Sequence, residues 1–105
     1  MAGRLRQQLQ DTAVQTAYLE FMRPDLDAAV SALVAEGATS VTVVPVFLAQ
    51  GGHVKRDLPQ KVGALRARLQ PAHPAFIIEL LPAIGEQPEV IDAIATSIAR
   101  LAGKP

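Results

Sequence analysis

SVTVVPVFLAQGGHVKRDLP, residues 40–59, is the stretch of sequence that decides the fold. Its first nine residues are β-branched and almost continuously apolar, which predicts a strand covered on both faces by helices. Pro45 interrupts this run. Because proline has no amide hydrogen, pairing either stops there or the proline nitrogen faces a side without a partner.

The residues before this strand predict a helix and an earlier strand. The helix begins at Pro24, a residue favoured in a first turn, and ends at Gly37. Its inner face has helical spacing and consists of Leu26, Ala29, Val30, Leu33 and Val34. AVQTAYLEF, residues 13–21, reads as a strand, and residues 3–10 read as the end of another helix.

The residues after the central strand predict two helices and a third strand. Asp57 is expected to cap a helix that runs to about Leu69. FIIELL, residues 76–81, reads as a strand, and Pro88 opens a last helix that Gly103 closes. The two inner stripes are Leu58, Val62, Leu65 and Leu69 in the first helix, and Ile91, Ile94, Ala95, Ile98 and Leu101 in the last.

The predicted elements alternate between helix and strand from the N-terminus to the C-terminus. Alternation with short connections indicates βαβ units and a parallel sheet, and therefore an α/β fold. At 105 residues the chain has the length of one small domain. We therefore expect a single domain with a parallel sheet between layers of helices.

Composition excludes several classes of function. Ten basic residues balance ten acidic ones, which disfavours a nucleic-acid or membrane-surface role. The absence of cysteine removes disulfides, thiolate metal sites and cysteine nucleophiles. The N-terminus is polar where a signal peptide is apolar, and no apolar run reaches the roughly 20 residues of a membrane helix. We expect a cytoplasmic protein.

Two candidate metal ligands follow the ends of predicted strands. In a parallel sheet the loops at the carboxyl ends of the strands gather on one edge, where open α/β folds bind ligands. Glu20 lies at the end of the first predicted strand, and His53 follows the second. Imidazole and carboxylate suit a divalent metal such as cobalt, iron or nickel. The alternative is that His53 is an ordinary loop histidine and Glu20 a solvated charge.

The residues around His53 predict room for a flat ligand. Gly51 and Gly52 remove two side chains from the approach to this edge. Lys55 and Arg56 are candidate partners for ligand carboxylates, although two such neighbouring cations more often lie on a solvated surface without a ligand. His73, between two prolines and predicted at the opposite edge of the sheet, is interpreted as a surface histidine.

Three segments together resemble a known family: YLEFMRPDL, VTVVPVFLAQGGHVKRDLP and LPAIGEQPEV. They resemble the small class II chelatases of the CbiX type, which are similar to sirohydrochlorin cobaltochelatase and to its iron- and nickel-inserting relatives. The resemblance runs in register from about Ala17 to Val90. The middle segment is the most specific, because it joins a strand ending in Pro-x-Phe-Leu to a glycine, a histidine and Asp-x-Pro.

The resemblance implies a flavodoxin-like fold of the chelatase type and the insertion of a divalent metal, cobalt first, into a sirohydrochlorin-like tetrapyrrole. His53 matches the family's second metal-binding histidine, and Glu20 matches the glutamate of its Phe-Leu-Glu segment. The resemblance further implies a homodimer. The metal is a substrate, and no organic cofactor is expected.

The resemblance also has a gap at its start. Members usually begin with a strand and a Gly-His-Gly-Ser-like stretch that supplies a first metal-binding histidine, and this sequence starts downstream of both. We therefore expect residues 1–105 to be one chelatase-like domain that is incomplete at its N-terminus.

Two other functions remain open from the sequence. The missing first histidine favours a non-catalytic domain that binds a tetrapyrrole or a metal, or that serves in an assembly. An unrelated flavodoxin-like protein that binds a phosphate compound is the third possibility. No Gly-x-Gly-x-x-Gly or P-loop pattern in the chain supports it.

Overall fold

The structure is a computed structural model that describes residues 2–18, 24–48 and 51–103. Its elements in chain order are α1 (Ala2–Gln8), α2 (Leu26–Ala35), β1 (Ser40–Val43), α3 (Gly52–Leu69), β2 (Ile77–Leu80), a 3₁₀ helix (Ile84–Glu86) and α4 (Pro88–Leu101). No helix in these ranges is both long and apolar enough to cross a membrane.

The chain forms two compact units. One consists of Met1–Val41 and Leu69–Ile77, and the other consists of Thr42–Arg68 and Ile78–Pro105. The buried apolar residues of the first unit are Leu26, Ala29, Val30, Val41, Leu69 and Phe76. Those of the second unit are Leu58, Val62, Leu65, Ile78 and Ala83.

The predicted start of helix α2 at Pro24 is wrong by two residues, whereas its predicted end before Gly37 agrees with the structure. The side chain of Asp25 accepts a hydrogen bond of 2.9 Å from the amide of Ala28, which satisfies one of the free donors of the first turn. The helix therefore starts at Leu26, two residues after Pro24. Gly37 follows the helix with φ of 103°, a conformation that glycine adopts without steric cost.

The strands β1 and β2 pair in parallel, so the predicted α/β class and strand direction are confirmed. The amide of Ile77 donates to the carbonyl of Thr39 at 3.1 Å, and the amide of Leu81 donates to that of Val43 at 3.0 Å. Both bonds step along the two strands by the same number of residues, as a parallel ladder requires.

The prediction of a strand over residues 13–21 is wrong for residues 13–18, which are the part that the structure describes. Its first five residues have no regular secondary structure, and Tyr18 makes an isolated parallel bridge with Asp25. The guanidinium of Arg6 donates to the carbonyl of Val14 at 2.9 Å, so this acceptor is bound by a side chain and not by a neighbouring strand. The last three predicted residues lie outside the described ranges.

The expectation that the central strand is covered on both faces is also wrong. Burial alternates along this segment, because Val41 and Pro45 are buried while Val44 and Val46 are exposed. Leu48, at the end of the segment, has 71% of its surface exposed. The regular strand ends at Val43, so the predicted interruption by Pro45 agrees with the structure.

Helix α3 starts five residues before the predicted cap at Asp57, which lies inside the helix. Gly52 is its first residue, and Pro59 is consequently an interior residue and not part of a first turn. The predicted inner stripe of this helix is confirmed, since Leu58, Val62 and Leu65 are each only 3% exposed.

Helix α4 spans the predicted residues, but its predicted inner stripe is not buried. No residue of α4 is buried, and Ile98 and Leu101 are 61% and 77% exposed. Within the second unit, α4 packs against the 3₁₀ helix that precedes it. The predicted burial of this stripe is therefore wrong.

Candidate functional site

The carboxyl ends of β1 and β2 continue side by side beyond the regular ladder, within the second unit. The amide of Ile84 donates to the carbonyl of Pro45 at 2.9 Å, and the amide of Gly85 donates to that of Phe47 at 2.9 Å. These bonds tie the residues after β1 to the 3₁₀ helix after β2. They fix the course of the chain as far as Phe47, at the strand ends where α/β folds bind ligands.

The predicted metal ligand His53 is the second residue of α3, and not a loop residue. The first turn of this helix is closed by the amide of Lys55, which donates to the carbonyl of Gly51 at 3.0 Å. The side chain of His53 lies outside what the structure describes. The role of His53 as a metal ligand therefore stays a prediction.

The second predicted ligand, Glu20, lies outside the described residues. Tyr18 is the last described residue before it, and Pro24 is the first after it. The predicted proximity of Glu20 and His53 stays a prediction as well.

The two glycines before His53 face open space. A β carbon at Gly51 or Gly52 would have no other atom within 4 Å among its non-local neighbours. The space beside them agrees with the predicted approach for a bulky ligand, whose binding there remains a prediction.

The cations predicted to meet ligand carboxylates lie in the first two turns of α3. Lys55 and Arg56 are both exposed. Such exposure suits a ligand-binding role and a solvated surface equally, so the binding role predicted for Lys55 stays a prediction.

His73 lies in the turn before the amino end of β2. Its amide donates to the carbonyl of Leu69, and its carbonyl accepts from the amide of Phe76, each at 2.9 Å. The residue is exposed. Its backbone shapes the turn, which agrees with its interpretation as a surface histidine.

Two residues that connect separate elements of the second unit were missed by sequence reasoning. Arg66 of α3 donates from Nη2 to the carbonyl of Ile78 in β2 at 3.0 Å. Gly85 is buried, and a β carbon there would come closer than 3.0 Å to the backbone of Leu48. For Gly85 the sequence shows only a glycine between an apolar and an acidic residue. This pattern does not reveal that Gly85 contacts the backbone of Leu48.

Within residues 2–18, 24–48 and 51–103, leaving aside the His53 side chain, no three His, Asp or Glu residues form a group suited to a metal ion. The metal-ligand prediction therefore rests on His53 and Glu20.

Comparison with known proteins identifies similar sequences. A model of the CbiX family matches residues 1–101. A sirohydrochlorin cobaltochelatase from Methanococcus aeolicus is 42% identical over 52 residues, which are 50% of this chain and 36% of that protein. One from Saccharolobus islandicus strain L.S.2.15 is 46% identical over 50 residues, 48% of this chain and 39% of that protein. The match thus spans well under half of the length of these relatives.

Two solved structures share the fold. A CbiX protein from Marinobacter aquaeolei VT8 superposes with a TM-score of 0.73 and 29% identity over 96% of this chain and 82% of its own. The second is the sirohydrochlorin chelatase SirB from Bacillus subtilis subspecies spizizenii, in complex with cobalt. It superposes with a TM-score of 0.64 and 26% sequence identity, over 96% of this chain and 43% of its own. The predicted flavodoxin-like fold of the chelatase type is confirmed.

Proposed function

The chain belongs to the CbiX family, and from this we propose that it inserts a divalent metal ion into sirohydrochlorin or a related tetrapyrrole. The observation that carries the proposal is the position of His53 in the first turn of α3, beside two glycines that face open space. That turn follows the carboxyl end of β1, the part of a parallel sheet where α/β proteins place ligands.

The chemistry needs a metal ligand that releases its ion and a group that receives protons. Insertion forms four bonds between the metal and ring nitrogens, and two pyrrole N–H groups lose their protons. His53 would hold the ion as neutral imidazole and, once the ion has passed to the ring, take up one of the two protons, while the other passes to solvent water. Glu20 supplies negative charge that orients the ion and partly balances it. Lys55 meets a carboxylate at the edge of the tetrapyrrole.

Cobalt is the metal that we propose first. The two curated relatives described above are named cobaltochelatases, and the SirB structure contains cobalt. Imidazole and carboxylate also bind iron and nickel, so the donor atoms alone leave three metals open.

The direct test is metal insertion followed by visible absorbance. Purified protein is mixed with sirohydrochlorin and Co²⁺, Fe²⁺ or Ni²⁺, and the rate is compared for the wild type, His53→Ala and Glu20→Gln. His73→Ala is the matched control, because this exposed histidine lies in the turn before β2. We expect His53→Ala to lose insertion and His73→Ala to keep it.

The outcomes of this test separate the candidate functions. Insertion that is indifferent to His53→Ala contradicts the proposed site. If the protein binds Co²⁺ through His53 but inserts no metal, the non-catalytic binding domain is the correct function. Binding of inorganic phosphate, with no binding of Co²⁺, supports the third possibility.

We propose a homodimer as the working form. Ile91, Ile94, Ile98 and Leu101 repeat at alternating steps of three and four residues, the spacing of a helix that packs against another helix. The flanking positions Val90, Ala95 and Ser97 carry no charge that opposes a close approach. The chain also matches less than half of the SirB chain, so two copies approach its length.

Sedimentation velocity tests the dimer. We expect the wild type to sediment as a dimer and Ile98→Asp to sediment as a monomer. Thr96→Asp is the control, because Thr96 lies on the opposite face of α4. A monomeric wild type at every concentration tested contradicts this part of the proposal.

The remaining proposals concern location and other partners. We propose a cytoplasmic protein that carries no organic cofactor and binds neither nucleic acid nor membrane. Equal numbers of basic and acidic residues support the lack of a nucleic-acid partner. Cell fractionation, and a visible spectrum of the purified protein without added tetrapyrrole, test the location and the cofactor.

A further inference from the structure

Residues 45–47, which follow β1, are held by the backbone of the 3₁₀ helix. Two consecutive amides, of Ile84 and Gly85, donate to the carbonyls of Pro45 and Phe47, both at 2.9 Å. A regular ladder would not use adjacent donors for acceptors two residues apart, so the two segments do not continue the regular pairing of β1 and β2.

Gly85 is the point of closest approach. It is buried, and a β carbon on it would lie less than 3.0 Å from the backbone carbonyl of Leu48. Its φ is not positive, so the requirement for glycine is one of space and not of backbone conformation. Any side chain at this position must push the backbone of Leu48 away.

The position of Leu48 bears on the start of α3. Leu48 precedes Gly51 by three residues, and consecutive Cα atoms are about 3.8 Å apart, so the first turn can lie at most about 11 Å from Leu48 and its position depends on that of Leu48. That turn contains His53. A displacement of about 1 Å is enough to impair a site whose ligands must hold a fixed geometry.

We propose that Gly85 is a positioning residue that sets where the His53-bearing turn of α3 lies, by letting the 3₁₀ helix pack directly on the backbone of Leu48. This inference rests on the proposed role of His53 as a metal ligand. Gly85 touches neither the metal nor the tetrapyrrole and acts through the chain from Leu48 to His53.

The test compares Gly85→Ala with Gly63→Ala. Both substitutions add one methyl group, but a β carbon at Gly63 has no neighbour within 4 Å. Binding of Co²⁺ alone is measured by calorimetric titration of the intact chain, at a temperature well below unfolding as followed by circular dichroism. We expect Gly85→Ala to weaken Co²⁺ binding by about tenfold or more, as loss of a residue that orients a ligand does. Gly63→Ala should leave it unchanged.

A double substitution separates positioning from a general loss of structure. If Gly85 acts through His53, then His53→Ala with Gly85→Ala binds Co²⁺ no more weakly than His53→Ala alone. Equal Co²⁺ affinity in folded Gly85→Ala and wild type overturns the proposal, even if the variant melts at a lower temperature. If His53→Ala itself leaves Co²⁺ binding unchanged, the proposed function fails, which is a separate outcome.

A second variant decides the case if Gly85→Ala does not fold. Ile84→Pro removes the amide that donates to Pro45, and proline suits this first position of the 3₁₀ helix because Ala83 before it has ψ of 137°. We expect Co²⁺ binding weaker by about threefold or more, because one of the two backbone hydrogen bonds is lost. An unchanged Co²⁺ affinity in folded Ile84→Pro overturns the proposal.

Discussion

Helices α3 and α4 carry similar apolar stripes, but their environments differ. The stripe of α3 is buried, and Leu65 is 3% exposed. The stripe of α4 contains no buried residue, and Ile98 is 61% exposed. Periodicity therefore identifies a helix and its apolar face, but it does not say whether that face is buried in the described part of the chain. Four substitutions test the difference.

The largest expected effect is in α3. Leu65→Ala removes a buried side chain and leaves a cavity, which typically costs about 2–5 kcal/mol. Urea unfolding followed by circular dichroism measures the free energy of unfolding. A loss below about 1 kcal/mol would mean that the core around α3 relaxes to fill the cavity or is not formed as described.

A smaller effect is expected at the start of α2, which has a side-chain cap where α4 has none. Asp25→Ala removes the acceptor for the amide of Ala28 and should lower the free energy of unfolding by about 1 kcal/mol. Asp25→Asn keeps an acceptor and is the control. Equal loss in the two variants would assign the effect to charge and not to capping.

The third substitution tests helix propensity in α3 without altering its packing. Gly63→Ala adds a methyl group into open space within the helix and should raise the free energy of unfolding by about 0.5–1 kcal/mol. Gly37→Ala should instead lower the free energy of unfolding, because φ of 103° strains any residue with a β carbon. Destabilisation by Gly63→Ala would show that this side of α3 is covered.

The smallest effect is expected in α4. Ile98→Ala, measured where the chain is monomeric, should change the free energy of unfolding by no more than about 0.5 kcal/mol, because the side chain is mostly exposed. The same variant should dissociate more readily in sedimentation experiments if the proposed dimer packs α4 against its copy. A large loss of stability in the monomer would place Ile98 in a core and remove the contrast with α3.

Local signals in the sequence identified much of the fold. Pro88 opens α4, Gly37 follows α2, and the alternating order of helices and strands indicated the α/β class. Each of these depends on the conformational limits of one residue or on the spacing of its neighbours. Each signal depends only on residues that are close together in the sequence, and it can therefore be read without knowing the fold.

Contacts between distant segments were not accessible from the sequence. The predicted strand at residues 13–21 needed a partner that local pattern does not specify, and the carbonyl of Val14 binds Arg6 instead. The close approach of Gly85 to Leu48 likewise depends on where two loops meet. For the candidate site, the sequence supplied His53 and Glu20 through pattern and family resemblance, and their proximity stays a prediction.

Pro59 lies inside α3, between the first turn with His53 and the turns with Val62 and Leu65. Because its nitrogen has no hydrogen, the carbonyl of Lys55 receives no intrahelical bond from it. The turns ahead of Pro59 can therefore fray without opening those that carry Val62 and Leu65. Amide hydrogens near His53 should exchange with solvent sooner than those near Leu65, so the end of the helix that carries the proposed metal ligand can open while the core end stays closed.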